Sequence, residues 1–461
     1  MLSKGKKIHI LGISGTFMAG VATIAKQCGY IVSGHDNACY SPMREQLQLS
    51  KIPVTIGYDD SDLPVADCYI IGNTVTRGNP LLEQIMMKGL PYTSGPEWLA
   101  ENVLQDKWVV AIAGTHGKTT TSSLVTWLLE QSGANPSFLI GGVVENLGVS
   151  ARLANSDIFV IEADEYDTAF FDKRPKFMHY RPKTLILNNL EFDHADIYNS
   201  LSDIAKQFSY LIKTVPADGM IIYPQHDKAL QDVIQKGCWS KSQTFNNNHD
   251  GASWFYSGSG SYSNFKIGYD GREMATVSSC LLGEHNAQNA CAAIIAANHI
   301  GVPAAVAARA ISSFSGVKRR LELRGCYAGV KCYDDFGHHP TAINKVLSCL
   351  RSDMAQGQKL FALVELGSYT LRNGIMASQL ESSLAIADRA WVAGVNNVDC
   401  SYNWHDWADN INHIEVAPDY NKLSDILLEN LNPGDIVISF SSRNMSNIHD
   451  LLKEKLLPSF C

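Results

Sequence analysis

The stretch "VVAIAGTHGKTTTSS", residues 109–123, decides the fold of this chain. An apolar run is followed by a turn that contains Gly114 and Gly117, and a helical pattern begins at about Lys118. A buried strand, a glycine-rich turn and a helix N-terminus together form a phosphate-binding loop. The usual loop has a glycine five residues before its Gly-Lys pair, and Ile112 stands there. The sequence therefore predicts a shortened loop of this kind.

The residue types in this loop suit a nucleotide triphosphate. The two glycines let phosphate oxygens approach backbone N–H groups, Lys118 offers a positive charge to the β- and γ-phosphates, and Thr119 offers a hydroxyl to Mg²⁺. The alternative is an ordinary glycine-rich turn between a strand and a helix. The residues predicted to bind ATP here are Gly114, Thr115, His116, Gly117, Lys118, Thr119 and Thr120.

Length, charge and cysteine usage limit the other possibilities. A chain of 461 residues predicts about three domains. The formal net charge of −8 and the lack of a basic tract make nucleic acid an unexpected partner. Eleven cysteines without Cys-x-x-Cys spacing indicate a reducing compartment. No apolar run approaches membrane-spanning length, so we expect a cytoplasmic protein without a membrane segment.

The pattern along the chain predicts an α/β protein of three consecutive domains, at residues 1–106, 107–315 and 316–461. The first domain begins with a βαβ pattern whose turn contains Gly12, Gly15 and Gly20. A dinucleotide fingerprint would need glycines where Ser14 and Phe17 stand, so an NAD dehydrogenase is disfavoured and another diphosphate ligand fits the turn. Between about 237 and 278 the composition shifts to Ser, Gly, Asn and Tyr, and "NFKIGYDGREMATVSS" alternates in part, which predicts an antiparallel excursion with hairpins.

Acidic and imidazole side chains follow two apolar strands of the central domain. In "VIEADEYD", residues 160–167, Glu162 ends the strand and is the best-placed carboxylate for a metal ion, whereas a solvated acidic turn is the alternative for the other acids. In "LILNNLEFDHADIY", residues 185–198, His194 is a candidate ligand of a second metal ion or a hydrogen-bond donor, and a structural histidine is the alternative.

An ordered set of motifs carries a family resemblance over nearly the whole chain. The motifs are "GTHGKTT" at 114–120, "EADEYD" at 162–167, "NNLEFDH" at 188–194, "GEHNAQNACAA" at 283–293, "FSGVKRRLELRG" at 314–325 and "YDDFGHHPTAI" at 333–343. Together they resemble the Mur ligases, the ATP-dependent amide-forming enzymes of peptidoglycan assembly. The resemblance implies a Rossmann-like UDP-sugar domain, a central ATPase-type domain with the phosphate loop and a Rossmann-like C-terminal domain.

Further segments favour one branch of that family. "TFMAG" at 16–20, "IIGNTVTRGNP" at 70–80 and "AFFDKRPKF" at 169–177 resemble the members that join UDP-N-acetylmuramate to the recycled murein tripeptide L-alanyl-γ-D-glutamyl-meso-diaminopimelate. The alternatives are the relative that adds L-alanine to the same sugar nucleotide and a non-catalytic, nucleotide-regulated binding protein. A folate polyglutamate ligase would not explain the N-terminal βαβ unit.

The resemblance also implies a role for individual residues, with ATP as co-substrate, Mg²⁺ as cofactor and an acyl phosphate as intermediate. The implied catalytic residues are Lys118, Glu162, His194 and Lys206, the last being carbamylated in some members or otherwise an exposed helix lysine. The implied metal ligands are Thr119, Glu162 and His194. Further ATP contacts are His285, Asn286, Asn289, Arg320 and Asp335. UDP-sugar contacts are Gly12, Ser14, Gly15, Thr16, Phe17, Asn73, Thr76, Arg77 and Asn79. Third-domain or peptide contacts are His338, His339, Ser368 and Arg372.

Two segments depart from the family pattern on the peptide side. Gly367 stands where an arginine for a peptide carboxylate is expected, and Arg372 is a candidate replacement. In "SFSSRNMSNIHDL", residues 439–451, side chains such as Arg443 stand where a glycine-rich turn is expected. ATP and UDP-sugar use is therefore predicted more firmly than the identity of the peptide.

Overall fold

The structure is a computed structural model that describes residues 5–59, 63–248, 251–395, 402–417, 419–442 and 445–456. Arg443 lies outside the described residues. Within them, three α/β domains follow one another, as the sequence predicts, and none of the described helices combines the length and apolar character needed to cross a membrane. The exact domain boundaries, such as those after residues 106 and 315, stay predictions.

The first domain is a parallel sheet with helices against it. Its strands are β1 (Lys7–Leu11), β2 (Ile31–Asp36), β3 (Val54–Ile56), β4 (Cys68–Ile71) and β5 (Tyr92–Ser94), and its helices are α1 (Thr16–Gln27), α2 (Met43–Leu49), α3 (Pro80–Met87) and α4 (Gly95–Leu99), which continues as a π-helical turn, Ala100–Leu104. The strand order is β3-β2-β1-β4-β5. Gly12 follows β1 with a φ of +79°, which a glycine adopts at low cost, so the chain turns sharply into α1. The predicted βαβ unit is confirmed.

The central domain contains a ten-stranded mixed sheet and a separate two-stranded hairpin. Its strands are β6 (Trp108–Ala113), β7 (Ser137–Leu139), β8 (Ala151–Arg152), β9 (Ile158–Glu162), β10 (Asp167–Ala169), β11 (Asp172–Pro175), β12 (Thr184–Leu187), β13 (Met220–Pro224), β14 (Lys241–Asn247), β15 (Trp254–Gly258), β16 (Asn264–Tyr269) and β17 (Arg272–Ser278). Its helices are α5 (Lys118–Gln131), α6 (Leu201–Lys213), α7 (Lys228–Gln235), α8 (Glu284–His299) and α9 (Ala304–Ile311), with a 3₁₀ turn, Lys176–His179. The order β17-β16-β15-β14-β13-β12-β6-β9-β7-β8 leaves β10 and β11 as a separate hairpin. The antiparallel pairs β15–β16 and β16–β17 confirm the predicted hairpins for part of 237–278, whereas β14 pairs in parallel with both β13 and β15.

The third domain is a six-stranded sheet in the order β18-β19-β23-β20-β21-β22. Its strands are β18 (Glu322–Tyr327), β19 (Val330–Asp335), β20 (Leu360–Glu365), β21 (Arg389–Ala393), β22 (Ile414–Val416) and β23 (Ile436–Phe440). Its helices are α10 (Pro340–Ser352), α11 (Tyr369–Arg372), α12 (Ala377–Leu384), α13 (Trp404–Asp409), α14 (Tyr420–Asn430) and α15 (Ser446–Leu456). All pairs except β18–β19 are parallel, and this explains the long apolar runs of β20 and β23.

The domains are joined in two different ways. One apolar core cluster runs from the first domain into the central domain, and the side chain of Gln46 accepts hydrogen bonds from the backbone N and Oγ of Ser150 at 2.9 and 2.8 Å. The third domain has two core clusters of its own and meets the site loops through polar contacts, such as Arg320 with Thr119 and Thr341 with Glu191. Because polar interdomain contacts are weaker than a shared apolar core, we expect the third domain to move more readily than the first relative to the central domain.

Candidate active site

A cavity of about 740 Å³ lies where the three domains meet. In the central sheet, β6 pairs in parallel with both β9 and β12, so the segments that follow these strands emerge at one edge of the sheet. The cavity is lined by most of the residues that the sequence predicted for the site. These are Gly12, Gly15, Thr16, Phe17, Asn73, Thr115, His116, Gly117, Lys118, Thr119, Thr120, Glu162, His194, His285, Asn286, Asn289, Arg320, Asp335, His338, His339, Ser368 and Arg372.

The phosphate loop has the backbone geometry that its glycines predict. Gly114 has a φ of +134° and does not itself line the cavity, but its carbonyl accepts a 2.7 Å hydrogen bond from Lys118 Nζ. Gly117 has a φ of +78°, and a Cβ placed there would lie 2.7 Å from Oδ1 of Asn289. Only glycine fits this position, because another residue would combine a strained φ with a steric clash.

Glu165 holds the two cationic groups of the site together. Its carboxylate accepts hydrogen bonds from Lys118 Nζ at 3.0 and 2.9 Å, and one of its oxygens lies 2.9 Å from His194 Nε2. Burial alone would lower the pKa of Lys118, but the negative charges of Glu165 and Asp164 outweigh it and the pKa is raised. Lys118 is therefore a charged ammonium at neutral pH, and its partner in the structure is the Glu165 carboxylate.

Glu162 lies at the end of β9 with both oxygens engaged. Oε1 accepts from Thr119 Oγ1 at 3.2 Å, and Oε2 accepts from the backbone N of Gly141 at 2.8 Å. A Cβ at Gly141 would lie 2.8 Å from each carboxylate oxygen, so glycine makes this approach possible. Arg320 of the third domain donates to Thr119 Oγ1 at 2.8 Å. A hydroxyl and a carboxylate that lie within hydrogen-bond distance of each other offer oxygen ligands suited to Mg²⁺.

The residues expected around the nucleotide base and the third-domain linker have structural partners. Asn286 and Asn289 lie on the first turns of α8, where Asn286 donates to Leu282 O at 2.7 Å and accepts from Asn289 at 3.2 Å. Asp335 accepts from the backbone N of Leu321 and of Gly337, each at 2.6 Å. Burial raises the pKa of Asp335 despite nearby Arg320. Asp335 thus fixes the loop that carries Arg320 towards the cavity.

The placement of Lys206 in the site is corrected by the structure. α6 is amphipathic and buries Ile204, Phe208 and Leu211, whereas Lys206 is exposed on another face and does not line the cavity. The buried lysine at the cavity is Lys176, whose Nζ lies 2.9 Å from Asp164 Oδ2. Lys206, twelve residues after His194, does not reach the cavity because it lies on a face of α6 that is exposed to solvent.

Part of the second loop predicted for the sugar nucleotide also lies away from the cavity. Arg77 is exposed and pairs with Glu83 at 2.9 Å, Asn79 caps α3 by accepting from two backbone N–H groups, and Thr76 is exposed on the same turn. Ser14 does not line the cavity either; its backbone N donates to Asp36 at 2.8 Å. Asn73 does line the cavity. Sugar-nucleotide contact by Thr76, Arg77, Asn79 and Ser14 stays a prediction that this geometry does not favour.

Four residues at the site were not singled out by the sequence: Asp164, Glu165, Lys176 and Glu191. Asp164 and Glu165 belong to the four acids of residues 162–167. Which of these side chains point into the site depends on the exact path of the chain after β9, and the sequence pattern does not predict that path. Lys176 follows β11, whereas Lys173 of the same hairpin is 70% exposed. The ammonium of Lys176 lies 5.6 Å from the ring centroid of Phe17, so it bridges the central and first domains. Only the folded hairpin distinguishes these two lysines.

Comparison with known proteins agrees with this geometry. Family models match three consecutive stretches: "Mur ligase family, catalytic domain" at 7–107, "Mur ligase middle domain" at 112–297 and "Mur ligase, glutamate ligase domain" at 319–443. A protein of Escherichia coli (strain K12), named "UDP-N-acetylmuramate--L-alanyl-gamma-D-glutamyl-meso-2,6-diaminoheptandioate ligase", is 45% identical over 457 residues, which are 98% of each chain. The chain belongs to the Mur ligase family.

Two other proteins are similar to this Mur ligase. The crystal structure of a murein peptide ligase from Psychrobacter arcticus 273-4 covers 98% of this chain and 99% of its own, with a TM-score of 0.76 at 36% identity. A "UDP-N-acetylmuramate--L-alanine ligase" of Arthrobacter sp. (strain FB24) is 33% identical over 84% of this chain and 81% of its own length. The family and the three-domain fold predicted from the ordered motifs are confirmed.

Three buried histidines of this Mur ligase have lowered pKa values, so we expect the protein to lose stability in mild acid. Burial is the main reason why the pKa of His9, His116 and His285 falls from 6.5 to about 4. Between these pH values the unfolded chain binds protons that the folded protein does not, so stability is full above about pH 6.5 and falls as the pH decreases towards 4. We expect a total loss on the order of 3 kcal/mol after allowance for solvent screening.

Urea unfolding at about pH 7 and pH 5 measures this loss as a lower midpoint in acid. His9→Gln removes one of the three groups and flattens the pH dependence, because glutamine does not titrate. His226→Gln, at an exposed position, is the matched control and leaves the dependence unchanged. Equal midpoints at both pH values in the unsubstituted protein contradict the assignment of buried neutral imidazoles.

Proposed function

We propose that this Mur ligase forms an amide bond between the carboxyl group of UDP-N-acetylmuramate and the amine of the tripeptide L-alanyl-γ-D-glutamyl-meso-diaminopimelate, at the expense of ATP, in cytoplasmic peptidoglycan recycling. The observation that carries the proposal is the 45% identity, over 98% of both chains, with the E. coli protein named for this activity. The L-alanine ligase alternative rests on the 33% identity with a shorter matched region.

The three domains divide the work in this proposal. Residues 1–106 hold the UDP-sugar against Gly12, Gly15, Thr16, Phe17 and Asn73; residues 107–315 hold ATP on the phosphate loop; and residues 316–461 supply Arg320 and the peptide contacts. The cavity supports this division because its lining comes from all three domains.

The chemistry of the step requires charge stabilisation more than covalent participation. ATP phosphorylates the sugar carboxylate, and the peptide amine then attacks the acyl phosphate and releases phosphate. Lys118 stabilises the charge that spreads over the transferring phosphoryl group. Glu165 must release the Lys118 ammonium to the phosphate, and His194 then keeps Glu165 paired. Lys176 beside Phe17 is positioned to orient the sugar carboxylate.

Mg²⁺ fits the residues present. Thr119 and Glu162 offer hydroxyl and carboxylate oxygens, and His194 offers an imidazole, so these three side chains would hold the metal ions of the reaction. When bound, Mg²⁺ neutralises charge on the β- and γ-phosphates of ATP. Arg320 keeps the Thr119 hydroxyl oriented from the third domain at 2.8 Å.

Phosphate release with defined substrates tests the proposal. The protein is incubated with ATP, Mg²⁺ and UDP-N-acetylmuramate, together with either the tripeptide or L-alanine. Released phosphate is measured, and the product is identified from its mass by mass spectrometry. We expect phosphate and the UDP-sugar tripeptide from the first mixture and little turnover in the second. Turnover with L-alanine alone transfers the assignment to the L-alanine ligases, and phosphate release in neither mixture supports a non-catalytic protein.

Arg372 is the proposed contact for a peptide carboxylate. Its side chain lines the cavity, and its buried Nε–H donates no hydrogen bond to any of the residues that the structure describes. A buried donor without a partner is costly, and a carboxylate satisfies a guanidinium with paired hydrogen bonds. Gly367, which also lines the cavity, has no side chain to compete for that carboxylate.

Arg372→Ala should therefore raise KM for the tripeptide by about 10- to 100-fold, since a charge-assisted hydrogen bond is worth about 1.5–3 kcal/mol. KM for ATP should change little, because the other side chains that face the phosphates remain. Arg351→Ala is the matched control: Arg351 lies on α10 and pairs with Asp388 at 2.6 Å away from the cavity. An unchanged KM for the tripeptide removes Arg372 from the peptide site.

A further inference from the structure

A cluster of two histidines and one glutamate lies at the junction of the central and third domains. It consists of His116 from the phosphate loop, Glu191 from the segment after β12, and His339 at the start of α10. His116 Nε2 lies 3.4 Å and His339 Nδ1 lies 3.7 Å from Glu191 Oε2. One candidate ligand atom from each residue lies within 4.8 Å of the other two. The cluster shares no residue with Thr119, Glu162 and His194.

The spacing fits a tetrahedral metal ion. Two ligand atoms bound about 2.0–2.1 Å from a tetrahedral Zn²⁺ are about 3.3 Å apart. The two nitrogen–oxygen distances in the cluster, 3.4 and 3.7 Å, are close to that value, so small side-chain movements would bring these atoms into coordination. Two imidazoles with one carboxylate favour a borderline ion such as Zn²⁺ over Mg²⁺, which prefers oxygen ligands.

The hydrogen bonds of His339 prepare its ring to act as a ligand. His339 Nε2 lies 3.2 Å from Phe192 O, which can only accept, so the proton is assigned to Nε2 and Nδ1 keeps its lone pair. Nδ1 accepts one long bond, 3.3 Å, from the backbone N of Thr341. An imidazole whose distal N–H is held by a carbonyl is the common arrangement of a metal-bound histidine. Burial lowers the pKa of His116 to about 4, so its ring is neutral at pH 7.

Glu191 is held in its ionised form and in a fixed position. Thr341 Oγ1 donates to Glu191 Oε2 at 2.7 Å. Although burial opposes ionisation, the hydrogen bond and charge of His116 lower the pKa of Glu191 to about 2. His116 and His339 both line the cavity. A metal ion with three protein ligands would thus have its fourth position available to water or to a ligand in the cavity.

We infer that His116, Glu191 and His339 form a second, transition-metal site of the Zn²⁺ type, which ties the phosphate loop to the third domain. The third domain meets the site loops through polar contacts and not through a shared core, so a metal at this point strengthens a junction that is otherwise weak. The site goes beyond the proposed ligase activity and does not depend on it.

Metal binding without substrates tests the inference. The full chain is stripped with a chelator, kept free of nucleotide in millimolar Mg²⁺, and titrated with Zn²⁺ against a fluorescent chelator. Excess Mg²⁺ occupies the oxygen-rich site, so we expect one equivalent of Zn²⁺ that Mg²⁺ does not displace. Co²⁺ in place of Zn²⁺ should give the strong visible absorption of a four-coordinate ion.

Two ligand variants and one control identify the residues. Glu191→Gln keeps an acceptor for Thr341, and His339→Asn keeps an N-cap for α10, because asparagine is among the preferred N-cap residues. Each should weaken Zn²⁺ binding at least about tenfold, as loss of a ligand or its support does. His179→Gln is the matched control, because His179 and Asp172 form a 3.1 Å pair outside the proposed site, and it should bind Zn²⁺ as the unsubstituted protein does.

The outcomes separate cleanly. Zn²⁺ binding that is lost in both ligand variants and retained in His179→Gln supports the site. Complete displacement by Mg²⁺, or equal affinity in Glu191→Gln and the unsubstituted protein, overturns it. Melting temperatures of the metal-free proteins show whether the variants fold; if His339→Asn does not, Glu191→Gln and the Co²⁺ spectrum decide. Ligase activity enters none of these measurements, so failure here leaves the proposed function untouched.

Discussion

Lys118→Ala should lower kcat by about 10²–10³-fold, which corresponds to about 3–4 kcal/mol of transition-state stabilisation. The ammonium of Lys118 is buried, stays charged because its pKa is raised, and sits at the start of α5 where the phosphate loop ends. A fixed positive charge in a site of low dielectric stabilises the transferring phosphoryl group strongly. Single-turnover phosphate release at saturating ATP measures the effect on the chemical step.

The same substitution leaves the buried Glu165 carboxylate without its main partner, so lost folding must be separated from lost catalysis. Removing one member of a buried ion pair costs about 3–5 kcal/mol of stability. Adding Glu165→Gln removes the uncompensated charge, and the double variant should recover stability without recovering activity. Lys206→Ala is the matched control, since Lys206 is exposed and outside the cavity. Activity of Lys118→Ala within a few-fold of the unsubstituted enzyme shows that the loop is not the ATP site.

The local parts of the site follow from the sequence because their geometry is local. Gly114, Gly117, Lys118 and Thr119 lie within six consecutive residues between a strand and a helix, and their spacing alone predicts which groups face a phosphate. Glu162 is predicted in the same way and lies in the cavity lining, because the last residue of a parallel strand lies at the ligand edge of the sheet. The family and fold predictions rest on such local motifs in order.

The remaining contacts depend on how separate segments pack. Lys176 reaches the cavity and Lys206 does not, because the hairpin of β10 and β11 folds against Phe17 whereas one face of α6 meets solvent. Neither fact is encoded in a spacing. Glu191 acquires its importance only from Thr341 and His339, about 150 residues away, so no local pattern distinguishes it from a surface glutamate.

The same reasoning explains why the structure does not favour sugar-nucleotide contact by most of the second loop of the first domain. Arg77 is the residue type that suits a diphosphate, but a cation on an exposed turn also pairs readily with a neighbouring acid, and Glu83 provides one. Asn79 suits a ligand as well as a helix N-cap, and in the fold it caps α3. The residue type indicates which interactions a side chain can make, and the packing of the fold determines which partner it contacts.

Glu162→Ala should raise the Mg²⁺ concentration needed for half-maximal activity by about 10- to 100-fold. One carboxylate oxygen of Glu162 accepts a 3.2 Å hydrogen bond from the Thr119 hydroxyl, and the other accepts a 2.8 Å hydrogen bond from the backbone N of Gly141. Without the carboxylate, the hydroxyl and imidazole ligands that remain carry no negative charge to offset that of the ion. Initial rates at saturating substrates over a wide range of Mg²⁺ measure the shift.

A nearby acid separates coordination from a general loss of negative charge. Asp167→Asn removes a charge from the same acidic segment, but Asp167 pairs with Lys173 at 2.7 Å and its side chain does not line the cavity. Its Mg²⁺ requirement should match that of the unsubstituted enzyme. If Glu162→Ala shifts the requirement and high Mg²⁺ restores part of the rate, the loss lies in metal affinity. If both variants respond to Mg²⁺ alike, Glu162 does not bind the metal and serves only to hold Thr119 and Gly141 together.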